Sequence, residues 1–487
     1  MRRVALASTA LVLASAAGAH ADPFVPGNLL VSKSVYTVPA STIVVGKTVL
    51  PGGSGATAVA DASYPNVFKN ETPDPSFGLT TPIVIDQITK AGAVVSSQIL
   101  IGLTTSFPSK SELGLHRSAD GSTVTFMGYT APPNTLDVSN SNTPGHPDST
   151  NPVPQVFQRS VGTINANGAL TTQAVDAYSG NNGRAAITGA NGVTYLVGNA
   201  GNGTKNATAA VLADQTSNTG VQIVTPGTST TTRAGTYNIT QNGYAADKVG
   251  KDNNFRGETI FNNTLYASKG SGGNGINTVY QIGITGTLPT GSTNPITILP
   301  GFNTTLANNA ANQFYPFGLF FANATTLYVA DEGLAGSVTP QAGLEKWTLT
   351  NEVWTEDYVL TAGLNLGVKY MVAGLDPAFS PATTGLRNLE GQVNADGTVS
   401  LFAVTATSSA LTDQGADANS VVAITDSLAA LTLPVTEAFT TIEAPTYATV
   451  YRGVSLAPIA ATAVPEPASL ILLTMGVLGV VGVRRRG

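Results

Sequence analysis

The sequence predicts an all-β fold, a β-propeller of six blades, or seven, followed by a C-terminal membrane helix. Three observations carry this expectation. Gly, Thr, Asn, Ala and Val dominate the chain, a composition that suits strands and tight turns. No long helical periodicity runs through the body. A strand–turn–strand unit, with an aromatic in its second strand, recurs through the middle of the chain.

The N-terminus comes first. Met1-Arg2-Arg3 is a positive n-region, Val4 to Ala16 is small and apolar, and Ala19-His20-Ala21 has the A-x-A form of a cleavage site. Residues 1–21 therefore read as a secretory signal peptide, with Ala19 and Ala21 setting a mature start at Asp22. The chain has no cysteine, so an exported body must rely on its core and not on disulfides. It also lacks thiol nucleophiles, thiolate metal sites and c-type haem attachment.

The propeller domain is assigned to residues 22–463. Its recurring turns are Asp120-Gly121, Asn191-Gly192, Asn262-Asn263, Asn323-Ala324 and Asp396-Gly397. Their composition calls for positive φ, as in hairpins. The strands that follow carry Phe126, Tyr195, Tyr266, Tyr328 and Phe402, with gaps of 69, 71, 62 and 74 residues. That period suits a four-stranded blade with generous loops. Each aromatic is expected to pack its hairpin against a neighbour. A sixth copy begins at Tyr451-Arg452-Gly453-Val454-Ser455 and lacks its remaining strands. The unclaimed strands near Leu29–Val31, Pro82–Ile85 and Val94–Ile101 can complete it, closing the ring with both chain ends in one blade and hiding two edges. A β-sandwich pair or a solenoid is the alternative.

Arginine is rare in the body: only positions 117, 159, 184, 233, 256, 387 and 452. Arg117, Arg184, Arg256, Arg387 and Arg452 recur at similar places in the repeat and would form a ring around the axis. Two readings stay open. The guanidinium groups bind an anion such as phosphate, carboxylate or an acidic glycan. Otherwise each pairs with a carboxylate, Glu112, Glu258 and Glu390 being at hand, because buried charge must be paired.

Other chemistry is thin. His116 lies on an inner strand, and His146 in a Pro/Asn/Ser/Thr-rich stretch, 134–154, that reads as a surface insertion. No G-x-S-x-G elbow supports a serine nucleophile, and no catalytic residue is assigned. Asp331-Glu332 and the loop with Asp413, Asp417 and Asn419 offer oxygen ligands for Ca²⁺, but at no EF-hand spacing. No metal site or other cofactor is expected. Without Arg2, Arg3, Arg484, Arg485, Arg486 and Glu466, the remaining 18 basic and 28 acidic residues give a net charge of −10. An acidic body argues against a nucleic-acid partner.

The last residues are Val464-Pro465-Glu466-Pro467-Ala468-Ser469, an uncharged run from Leu470 to Val483, and Arg484-Arg485-Arg486-Gly487. As a helix, 470–483 would span about 21 Å, short of a hydrocarbon core of about 30 Å. Flanking residues and snorkelling arginine stems cover part of the difference, with the arginines on the cytoplasmic side. Pro465 and Pro467 keep the preceding segment extended. Residues 464–487 resemble the PEP-CTERM sorting signal. The resemblance implies processing by an exosortase near Pro465, Glu466 and Pro467, with Arg484, Arg485 and Arg486 as the terminal cluster. It further implies transient anchoring in the inner membrane and release toward the cell surface or extracellular space. An ordinary, uncut tail anchor is the alternative.

The body, in phrases such as Arg117-Ser118-Ala119-Asp120-Gly121 and Leu327-Tyr328-Val329-Ala330-Asp331, resembles secreted β-propeller proteins without a defined reaction. The expected function is a non-enzymatic surface or matrix protein, a binding or structural platform with extracellular polysaccharide as a candidate ligand. A secreted propeller hydrolase of phosphoesters or acidic sugars is the rival.

Overall fold

The computed structural model describes residues 23–460, apart from 38–41, 50–56, 61–63, 65–66, 68–77, 107–110, 202–207, 229, 236–252, 271–274, 310–312, 335–336 and 412–413. The signal peptide with Ala19 and Ala21, the sorting tail and Asp413 lie outside the described residues. Among the described residues no helix is long and apolar enough to cross a membrane.

The body is an all-β propeller. In chain order its strands are β1 (Leu29–Val35), β2 (Thr80–Ile88), β3 (Val94–Ser106), β4 (His116–Arg117), β5 (Thr123–Tyr129), β6 (Arg159–Asn165), β7 (Leu170–Val175), β8 (Gly183–Thr188), β9 (Thr194–Gly198), β10 (Gly220–Val224), β11 (Thr231–Arg233) and β12 (Gly257–Phe261). They continue with β13 (Thr264–Lys269), β14 (Thr278–Ile282), β15 (Ile296–Ile298), β16 (Pro316–Asn323), β17 (Thr326–Asp331), β18 (Gly343–Thr350), β19 (Val353–Leu360), β20 (Ala382–Val393), β21 (Thr398–Ser408), β22 (Val421–Ser427), β23 (Thr440–Glu443) and β24 (Thr449–Leu456).

Four sheets are separate antiparallel blades of four strands: β8–β11, β12–β15, β16–β19 and β20–β23. The expectation of six separate blades is corrected here. The other eight strands form one continuous sheet, β24-β1-β2-β3-β5-β6-β7 with β4 on β5. The fusion has a local cause. Thr104 near the end of β3 pairs with Tyr129 at the end of β5, and the Thr104 hydroxyl donates to the Ala131 carbonyl at 2.9 Å. Within this sheet β24 pairs with β1 over Leu29–Val35, so strands from the two chain ends lie side by side. The strands β24, β4, β8, β12, β16 and β20 each touch the next, and β20 touches β24, so the inner strands make a closed ring.

The recurring aromatics all fall on second strands and all are buried. Tyr195 packs with Phe255 and Leu265, Tyr266 with Leu319 and Phe321, Tyr328 with Leu386 and Leu401, and Phe402 with Leu29 and Val454. Each of these four fills the seam to the following sheet or sheet half. In the first repeat the adjacent Met127 takes that place with Ala186 and Leu196, while Phe126 faces the N-terminal strands. Successive strand residues point to opposite faces, so one step along β5 is enough.

Positive φ occurs at Gly121, Gly192, Asn262, Asn263 and Gly397, as the turn composition requires. The turn after Asn323 has none; the irregularity between Phe321 and Asn323 reshapes it instead.

One seam is charged. Lys346 on β18 and Asp426 on β22 are fully buried and 2.9 Å apart. Asp426 also accepts from the hydroxyls of Tyr358, at 2.7 Å, and Tyr328. The Lys346 ammonium donates to Tyr358 Oη at 3.0 Å and to the Ser427 carbonyl at 2.6 Å. Every member has partners, which is the condition for burying charge at tolerable cost.

Candidate functional site

The axis of the ring is filled from one side by the segment Ser111–Leu115, between β3 and β4. Leu113 and Leu115 are buried, and Leu113 has φ 62°. The Leu113 carbonyl accepts from Ser32 Oγ at 2.8 Å, and the Leu115 carbonyl from Asn388 Nδ2 at 3.3 Å. A Cβ on Gly114 would sit in ordinary contact with both Asn388 on β20, at 3.5 Å, and the Arg184 carbonyl on β8, at 3.8 Å. Those strands stand on opposite sides of the ring, so the segment is a plug. Glu112 ties it down, accepting from Ser106 N at 3.2 Å, Thr105 Oγ1 at 3.3 Å and the Tyr129 hydroxyl.

The five recurring arginines divide around this plug. Arg184 Nε and Arg256 NH1 both donate to Ser111 Oγ, at 2.9 and 2.7 Å. Arg452 reaches Ser34 Oγ and the Ser106 carbonyl, both at 3.4 Å. Arg387 pairs with Glu332 at 3.0 Å. Arg117 stands apart from these four. It is the last residue of β4, and its Nε donates to the Gly121 carbonyl of its own turn at 3.1 Å.

At the turn end of the inner strands the axis opens into a cavity of about 220 Å³. Its walls include Leu115, His116, Arg117, Ile187, Ile260, Phe261, Leu319, Phe320, Leu389 and Glu390. Burial lowers the His116 pKa to about 4, so its ring is neutral near pH 7. A larger groove of about 760 Å³ lies between the first and second repeats. It is lined by polar residues, among them Ser118, Asp120, Ser122, Thr163, Thr171, Gln173 and Thr188, and by the apolar Val161, Ala174, Ala190 and Pro226. Asp120 is held below the usual carboxylate range by bonds from Ser118 and Ser122.

The two oxygen-rich places named for Ca²⁺ are engaged with protein groups. Asp331 accepts from Tyr315 N at 2.6 Å and Gly333 N at 2.7 Å, and Glu332 holds Arg387. Asp417 accepts from Ser409 Oγ at 2.6 Å, and Asn419 bridges Thr405 and Tyr451. Among the described residues no group of three or more His, Asp or Glu is placed to hold a metal.

Residues 134–154 are not the solvated insertion that their composition suggests. Val138 to Thr143 and Val153 are buried, and His146 Nδ1 lies 2.6 Å from Asp214. Arg159, outside the recurring set, is the reason. Fully buried, its guanidinium donates to the carbonyls of Ser139 at 3.0 Å, Ser141 at 2.9 Å, Phe157 at 2.9 Å and Asn181 at 2.6 Å.

Several buried carboxyls are costly. Burial raises the pKa of Asp331 to about 7 and that of Glu258, Glu345 and Glu390 above the usual range. Both Glu258 oxygens are buried without a hydrogen-bond partner. A carboxyl whose pKa is higher folded than unfolded binds its proton more tightly in the native state. Stability is therefore lost as pH rises from the unfolded value, near 4, through the folded value. His116 acts in the opposite sense below its unfolded pKa of 6.5, but it is one group against four. The thermal midpoint should rise as pH falls from about 8 to about 5.5; a midpoint that is flat or falls over that interval contradicts these assignments.

Residues 463–486 match the PEP-CTERM protein-sorting motif. The chain thus carries a signal for export and membrane transit, processed by an exosortase. No curated protein matches the sequence. The similarity to solved structures is weak. The parainfluenza virus 5 hemagglutinin-neuraminidase ectodomain is 10% identical, covers 73% of this chain and 77% of its own, and has a TM-score of 0.34. A quinonprotein alcohol dehydrogenase-like protein from Bacteroides thetaiotaomicron is 11% identical, with coverage of 77% and 84% and a TM-score of 0.26.

Proposed function

We propose that this chain is an exported binding platform, anchored briefly in the inner membrane by residues 464–487 and then released toward the surface or matrix. The matched sorting motif supports the route. Signal removal after Ala21 frees residues 22–463, and cutting near Pro465-Glu466-Pro467 detaches them from the apolar run 470–483 and its arginines. The ligand surface is the groove between the first two repeats. Hydroxyls that both donate and accept, with Asp120 as the one charged wall residue, suit a neutral, hydroxyl-rich polymer such as an extracellular polysaccharide. Arg184, Arg256, Arg387 and Arg452 hold the plug and ring together in this account.

Intact-mass measurement of the protein from membranes and from medium tests the route. The expected result is a membrane form starting at Asp22 and a released form that also lacks the tail. Full-length tail in both fractions would end the proposal.

A further inference from the structure

We propose that the axial cavity at the turn end of the inner strands binds a small organic anion, an apolar carboxylate of about benzoate size, gripped by Arg117. Size comes first. The cavity measures about 220 Å³, and an apolar void of about 150 Å³ accepts benzene. One ring and one charged group therefore fit. The walls that would meet the ring are Ile187, Ile260, Phe261, Phe320 and Leu389, drawn from β8, β12, β16 and β20. They offer contact area and no side-chain hydrogen bonds. Leu115 belongs to the plug and closes the far end.

The charge is the second observation. Arg117 lines this cavity and spends only its Nε on the protein, at Gly121. Among the described residues no carboxylate lies within ion-pair distance of it. The other recurring arginines reach the plug, its flanks or Glu332, whereas Arg117 presents the two terminal nitrogens of its fork without a protein hydrogen bond. Glu390 shares the cavity and lies within electrostatic reach of Arg117, but its carboxyl is held to the wall. Its oxygens accept from Gly391 N at 2.9 Å, Leu456 N at 3.0 Å and Ser455 Oγ at 3.1 Å. His116, neutral near pH 7, adds a polar edge without charge. A planar guanidinium fork matches a carboxylate with two parallel hydrogen bonds, while the apolar side chains of the wall give the ring its contacts.

The test uses the full-length chain purified in detergent, titrated calorimetrically with sodium benzoate, sodium acetate and benzyl alcohol. Acetate keeps the charge without the ring; benzyl alcohol keeps the ring without the charge. Benzoate should bind at least about tenfold tighter than either, the equivalent of about 1.4 kcal/mol. In Arg117→Met that advantage over benzyl alcohol should disappear. Ile260→Phe, which narrows the cavity and leaves the guanidinium alone, should weaken benzoate more than acetate. The comparison of three ligands on the native chain stands even if a variant fails to fold. No benzoate binding up to about 10 mM, equal binding of benzoate and benzyl alcohol, or undiminished benzoate binding by Arg117→Met would each overturn the proposal.

Discussion

Asp426→Ala should destabilise the chain by about 3–5 kcal/mol, the cost of leaving a buried charge without its partner. The side chain touches no solvent and is the counter-charge of Lys346 across the seam between β16–β19 and β20–β23. Its loss strands the ammonium and removes the acceptor of two tyrosine hydroxyls, Tyr328 and Tyr358. The double variant Asp426→Ala with Lys346→Met should recover part of the loss, because the buried ammonium left without its counter-charge is then gone. Urea unfolding of the three proteins checks both statements. A single variant within about 0.5 kcal/mol of the parent, the range of a plain surface substitution, would show that the seam is not held this way.

Arg159→Met should cost about 3 kcal/mol or more, since several buried carbonyls each lose a charged donor worth about 1.5–3 kcal/mol. The damage should be local at first. Residues 138–143 and 157 are tied to Asn181 at the start of the second repeat by this side chain, beside the bonds from Gly180 N to the Ser141 carbonyl and from Thr143 N to Ser179 Oγ. Amide exchange in 138–157 should therefore accelerate before the distant blades respond. Uniform acceleration throughout the chain, or none, would contradict a local clamp. Methionine keeps the length and apolar stem of arginine, so a loss of stability reports the guanidinium and not a cavity.

These two sites also show what can be read from one sequence. Tyr195, Tyr266, Tyr328 and Phe402 were legible because the same blade position imposes the same seam contact, and repetition makes a position visible. The closing strands were legible because a ring with an unfinished copy at its end needs partners, and the unclaimed strands near the N-terminus supply them. The separateness of the blades was not legible, because one pairing, Thr104 with Tyr129, joins two groups of strands. Lys346 and Asp426 are 80 residues apart and carry no shared motif. Arg159 looked unremarkable because its partners are main-chain carbonyls, which any sequence could provide. The plug at 111–115 follows no period, so its effect on the recurring arginines emerges only once Ser111 is seen between Arg184 and Arg256.

Ring closure has a mechanical consequence. The strand that leads to the sorting tail is β24, an inner strand paired with β1 over seven positions from Leu29 to Val35. Just beyond it, Ile459 N still donates to the Gly121 carbonyl at 2.9 Å. While the tail is held in a membrane, tension on the domain enters along the axis of β24. It is shared across that whole ladder in shear and does not peel bonds one at a time. The strand that bears the load thus sits at the centre of the ring and not on its rim, so a tethered domain can withstand drag without fraying from its outer strands.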